Sequence, residues 1–320
     1  MIVTLNEMPK QQITVGVGYS TDTGARATLD HMNRSPFDWN VVITNRFEIG
    51  RQKNAWTGQV ISHPLPDHYR DLISANAERL DQDDELRTSA GLRLGRTQDT
   101  DDFVRQYFLA LQSAKVQSAA PTTSATAASL NYNWITRSID SIALPTRGTV
   151  LAAETAAGYS FHTTGSNGAF ARALARVTGY RPLGAGWNLQ WRLEAAEVFA
   201  NSDVGIPDTL LFRAGGQDSV RGYAYRALGP LENGVVTSGR MLFTSSVEFA
   251  RPISSQLPSL WAAVFVDAGN ASNTWGQMRP AVGAGPGIRW RSPVGALRVD
   301  LAYGVDLHKW RLEVSLGIAP

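Results

Sequence analysis

Five histidines are the side chains best suited to metal ligation or proton transfer, and they are scattered: His31, His63, His68, His162 and His308. None stands at His-x-x-x-His or a similar ligand spacing, so no metal site is expected. Ser160-Phe161-His162 is the nearest thing to a nucleophile and its base. The two lie two apart on one strand-like run, and no neighbouring run supplies the acid that would orient the histidine. Cysteine is absent, which removes thiol catalysis, disulfides and cysteine-based metal sites. The glycines of 283–287 do not precede a helix, so a phosphate cradle fails on context. The chain is expected not to be an enzyme and to need no cofactor.

Charges at alternating positions say more. Phe265, Asp267 and Gly269 fall on one face of an extended run, opposite Val264 and Val266. In the next run Gly283, Gly285, Gly287, Arg289 and Arg291 share a face opposite Val282, Ala284, Ile288 and Trp290, and glycines there leave room for another backbone. In the run before, Glu248 lies with Thr244 and Ser246, opposite Phe243, Val247 and Phe249. If the polar faces point inward, two carboxylates and a glycine-lined trough sit on consecutive strands. Arg221, on a long connection able to reach inside, would complete the pairing, because a buried guanidinium needs carboxylate partners.

The elements that hold these residues repeat one pattern. Ile13, Val15, Val17 and Tyr19 alternate with Thr14, Gly16, Gly18 and Ser20. Trp187–Leu193, Leu297–Tyr303 and Trp310–Ile318 behave alike, as strands with one apolar and one polar face. Turn signals separate such runs: Asp22-Thr23-Gly24, Ser35-Pro36, Pro64 to Asp67, Asp81 to Asp84, Gln98 to Asp101, Pro145 to Gly148 and Gly165 to Gly168. About sixteen strands result, although 68–80, 101–116 and 147–161 alternate poorly. A soluble β-sandwich alternates too. Strand length, aromatics near strand ends (Tyr19, Phe37, Trp39, Tyr69, Tyr180, Trp187, Trp261, Trp290, Tyr303, Trp310) and the lack of a helix to cover a sheet edge favour a membrane barrel. Apolar residues are 43% of the chain and no apolar run reaches the length of a membrane helix, which a barrel does not need. The net charge of +2 is spread without a basic block, so nucleic acid is not an expected partner.

One connection, 199–239, is too long for a turn and too apolar and glycine-rich for a disordered tail, so it is expected to fold into the lumen as a plug. It carries Val220-Arg221-Gly222-Tyr223. Those four residues resemble the loop-tip signature of the outer-membrane insertase and translocator superfamily, which comprises BamA-like assembly proteins, TamA-like translocation-and-assembly proteins and two-partner secretion transporters. Other motifs follow in order. Phe265 to Gly269 is similar to the family's F-x-D-x-G strand, and Gly285 to Trp290, Ser292 to Gly295 and Leu297 to Asp300 are similar to the segments after it. Gly16 to Gly24 is similar to the first hairpin of TamA-like members, and Pro145 to Gly148 to another family turn.

The resemblance spans 13–318 and implies an all-β transmembrane antiparallel barrel over 13–319 in the bacterial outer membrane, with both termini periplasmic. Residues 1–12 then read as a remnant linker from a removed periplasmic POTRA region. It implies contacts of Arg221 with Asp267 and Glu248, among lumenal partners that include Phe265, Gly269, Gly285, Gly287 and Arg289. The implied partners are the lipid bilayer, client outer-membrane or secreted proteins, and a periplasm-spanning protein reached through the POTRA domains. The implied function is a translocation and assembly module that inserts or translocates clients through a seam between first and last strands. Val15, Gly16, Val17 and Gly18 would face Leu312, Val314, Leu316 and Gly317 there, with glycine weakening the pairing. The last strand lacks the terminal aromatic usual in such barrels, which leaves the seam's closure open. A BamA-like or two-partner secretion barrel, a passive porin and a soluble all-β binding module are the rival readings.

Overall fold

Residues that alternate at period two, broken by glycine, proline and aspartate, form strands that pair with their neighbours in sequence. The computed structural model describes residues 9–82, 85–119, 121–142, 145–162, 165–292 and 295–318. Most of the expected linker, the Asp83-Asp84 turn, Pro293-Val294 and the terminal Ala319-Pro320 lie outside the described residues.

The first wall strands are β1 (Gln11–Ser20), β2 (Gly24–Asn33), β3 (Val41–Gly50), β4 (Lys53–Ser62), β5 (Tyr69–Gln82), β6 (Glu85–Asp99), β7 (Phe103–Gln117) and β8 (Thr123–Ile139). After them come β9 (Gly148–His162), β10 (Gly168–Gly184) and β11 (Trp187–Ala200). A long loop holds the short hairpin β12 (Leu231–Glu232) and β13 (Val235–Val236). The wall resumes with β14 (Met241–Ser254), β15 (Leu257–Ser272), β16 (Ala281–Ser292), β17 (Gly295–Gly304) and β18 (Lys309–Ile318). Sixteen of these strands close into an antiparallel barrel, with β1 against β18. The poorly alternating segments are strands as well: their lumenal positions carry Leu72, Phe108, Ala110, Ala114 and Ala156, all buried.

The outer face is the apolar one. Ile13, Val15, Val17, Leu109, Leu130, Val264 and Leu312 are all exposed. A closed wall with an apolar exterior is built for lipid, since nearly all of its backbone groups pair between neighbouring strands. Aromatics lie at both ends: Phe37 and Trp39 at the end that holds the termini, and Tyr303 in tilted contact with Trp310 at the other. Tyr180 differs, because its register with Gln190 puts it on the lumenal side, where it lines a cavity.

The wall is uneven. Strands β1–β4, β17 and β18 are 10 residues long, whereas β5–β11 run to 14–17. Pro286, which has no N–H to donate, also interrupts the wall: the β16–β17 ladder passes from Ala284↔Tyr303 to Gly287↔Asp300.

The hydrophobic core lies inside the barrel. Loop residues Val204, Ile206, Leu210, Phe212, Val220 and Tyr223 pack on the wall residues Phe170, Val198, Leu242 and Ala271. The β12–β13 turn places Asn233 and Gly234 at positive φ, the geometry of a tight hairpin. The loop therefore fills the lumen as a folded unit.

Candidate functional site

The tip of the loop turns on Gly215, Gly216 and Gly222, all at positive φ. Between these turns the chain presents Arg221 to the wall. Its Nε and Nη2 donate to the two oxygens of Asp267 at 2.7 and 2.9 Å, a bidentate fork, and its backbone N–H donates to Oδ2 at 3.1 Å. Nη1 reaches Glu248 at 2.8 Å and Asp300 at 3.5 Å, and the guanidinium carbon lies 3.4 Å from the Phe265 ring centroid. Arg289 closes the cluster, pairing with Glu248 at 2.7 Å and with Asp300 at 2.7 Å. Two guanidinium groups and three carboxylates thus share one buried patch. Burial opposes the charge of Arg221, but the hydrogen bonds and field of Asp267, Glu248 and Asp300 prevail and hold it more firmly protonated than usual.

The expected glycine trough needs correction. A Cβ at Gly283 would collide with the Arg221 carbonyl, so Gly283 is the glycine that admits the loop. Gly269, Gly285 and Gly287 do not receive it. The space beside Gly285 holds the Leu301 carbonyl of β17, that beside Gly287 the Asp300 carboxylate, and that beside Gly269 the Phe243 carbonyl and Thr244. These three glycines shape the wall around the site. The side chain of Arg291 lies outside the described residues.

The rest of the tip motif is anchored too. Val220 is fully buried. Gly222 donates its N–H to Glu313 of β18 at 2.8 Å, and the Tyr223 hydroxyl donates to Asp306 at 2.9 Å. Sequence reasoning missed Asp300, Glu313 and Asp306 as partners. Asp300 and Glu313 were within reach, because both fall on the polar face of an alternating run.

A second cluster carried no local signal. Asp208 of the loop accepts from Arg87 of β6 at 3.0 Å, from Arg226 at 2.8 Å and from the Ser238 hydroxyl. Arg213 of the loop donates to Glu85 of β6 at 2.5 Å. Burial would raise the Asp208 carboxyl, but Arg226, Ser238 and Arg87 hold it down at about 2. The two clusters therefore tie the loop both to β14–β18 and to β6 across the lumen.

At the seam, Gly18, Tyr19 and Ser20 pair with Gly317, Leu316 and Ser315. Val15, Gly16 and Val17 have no β18 partner among the described residues, whereas β1 pairs with β2 from Gln11 to Ser20. Leu312 and Val314 of β18 pair with Leu301 and Val299 of β17. Ser160 of β9 donates to the carbonyl of loop residue Gly205 at 2.6 Å and so helps to anchor the loop, and the His162 ring accepts the Gly165 N–H.

The chain is similar to known proteins in sequence and in fold. An assembly factor, the outer membrane protein BamA of Nitratidesulfovibrio vulgaris, is 29% identical over 194 residues, 56% of this chain but 24% of that protein. This chain thus spans about a quarter of the length of that relative. The structure of Haemophilus ducreyi BamA lacking POTRA domains 1-3 is similar at a TM-score of 0.81 and 18% identity, covering 98% of this chain and 70% of that one. CdiB from Acinetobacter baumannii is similar at 0.63 and 16%, covering 97% and 60%. These two are likenesses of fold. Residues 62–319 match the Omp85 superfamily domain, and the chain therefore belongs to the Omp85 superfamily.

Proposed function

We propose that this barrel sits in the bacterial outer membrane with both termini periplasmic, and inserts or translocates client outer-membrane or secreted proteins through the seam between β1 and β18. The observation that carries the reading is the short β1–β18 ladder, which among the described residues has three register pairs and borders the apolar exterior. An unpaired strand edge at the bilayer is a template for an incoming strand, whose own backbone groups need partners in lipid. Membership of the superfamily and the likeness to BamA and CdiB support it. Within the superfamily, the first hairpin, Gly16 to Gly24, supports a TamA-like translocation and assembly module, with POTRA domains ahead of the barrel reaching a periplasm-spanning partner. No catalytic or nucleic-acid-binding role is proposed.

The test uses the chain in phospholipid vesicles, with a small outer-membrane barrel as client. The chain is expected to speed client folding. Tyr19→Cys with Leu316→Cys, register partners across the seam, should abolish that gain when oxidised and restore it when reduced. Equal acceleration with the seam locked would overturn the reading.

A further inference from the structure

The loop tip also touches the seam, at a place separate from the Arg221 cluster. The side-chain amide of Gln217 donates to the Thr21 hydroxyl at 2.8 Å and to the Val314 carbonyl at 2.8 Å. Thr21 directly follows β1 and Val314 lies in β18, so one side chain spans both edges of the seam. The Gln217 backbone N–H donates to Asp22 Oδ2 at 3.0 Å, and the Ser20 hydroxyl lies 3.5 Å from its amide oxygen. Five residues further along the tip, the Gly222 N–H donates to Glu313 of β18. Around this bridge the direct link is slight: Thr21 N–H to the Val314 carbonyl at 3.0 Å, and Val314 N–H to the Thr21 hydroxyl at 3.4 Å.

We infer that Gln217 is a cross-seam latch: in the docked loop it holds β1 against β18, and withdrawal of the tip releases them. The inference rests on the proposed use of the seam and names its regulation. The latch sits where control is needed. Among the described residues β1 meets β18 at Gly18, Tyr19 and Ser20, and the Gln217 bridge lies directly beside that pairing. With a ladder of three register pairs, an amide bonded to both strands is a large share of the connection. Arg221, fixed on Asp267, sets the position of the tip that carries the latch, so any event that frees the arginine also frees the seam. Gln217 is thus a positioning residue, with no contact to a client required.

The test reads the seam and leaves client folding aside. The chain has no cysteine, so spin labels on Tyr19→Cys and Leu316→Cys report that pair alone. In phosphatidylcholine vesicles the otherwise unaltered chain should show dipolar broadening between the labels. Gln217→Ala, and Gln217→Glu, which keeps the length and loses the donor, should each reduce the broadened fraction at least twofold while the loop stays resistant to protease. Should Gln217→Ala fail to fold, Thr21→Val removes the same bridge from the wall side and should give the same loss. Unchanged broadening in these variants overturns the latch. So does a loss that comes only with loop cleavage, since Gln217 would then merely anchor the loop. If broadening falls as expected but a locked seam leaves client folding unaffected, the latch stands and the proposed function falls.

Discussion

Gly283 of β16 lies against the carbonyl of Arg221, so close that the loop backbone occupies the space of the missing side chain. Gly283→Ala should therefore push the tip off the wall while leaving the pairing of β16 with its neighbours intact. Gly285→Ala instead meets the Leu301 carbonyl and should disturb the β16–β17 pairing. Limited proteolysis of 201–240 should become faster in the first variant. A lowered temperature for the loss of the fast-migrating folded band on detergent gels should mark the second.

Arg221→Ala leaves Asp267 buried without its guanidinium, while Glu248 keeps Arg289, and a broken buried pair costs about 3–5 kcal/mol. The loop should become protease-sensitive, and conductance in planar bilayers should rise from sparse to frequent openings. Arg221→Lys keeps the charge but not the fork to Asp267, and should fall between the two. Conductance and proteolysis in Arg221→Ala that match the parent chain would refute a plug held by this residue.

Acid should free the other side of the loop. The Asp208 carboxyl is depressed from its ordinary 3.8 to about 2, so its contribution to docking is complete above about pH 4 and is lost as pH falls through 2. Pepsin cleavage of the loop should accelerate over that interval. Asp208→Asn should cleave readily at pH 4 and show a flatter pH dependence, because the ionised partner of Arg87 and Arg226 is already gone.

The wall has a lipid side and a lumenal side, and charge should distinguish them. Leu109, midway along β7 and exposed, should lose roughly 2–4 kcal/mol of stability as Leu109→Arg in a bilayer. Gln112→Arg, on the lumenal side of the same strand, should change stability far less. Urea unfolding in vesicles measures both, and equal effects would contradict the assigned faces.

Alternation and a four-residue motif make Arg221, Asp267 and Glu248 legible in the sequence. The same alternation held Asp300 and Glu313, but a face of a strand does not say which of its polar residues a distant loop will reach. The pairing of Asp208 with Arg87 had no sequence signal, since it depends on how 201–240 folds across the lumen. The weak periodicity of β5, β7 and β9 has a physical cause. A plugged lumen is partly apolar, so Leu72, Phe108 and Ala156 stand where a water-filled pore would carry polar side chains.

The unequal strand lengths bear on the bilayer itself. At about 3.3 Å per residue and a tilt near 40°, ten residues climb roughly 25 Å, and sixteen roughly 40 Å. Lipids that wet the low side must compress to match it, while those opposite relax. The barrel is thus a lopsided inclusion that stores elastic stress in the membrane next to its first and last strands, where a polypeptide entering from the aqueous side would have the least hydrocarbon to cross.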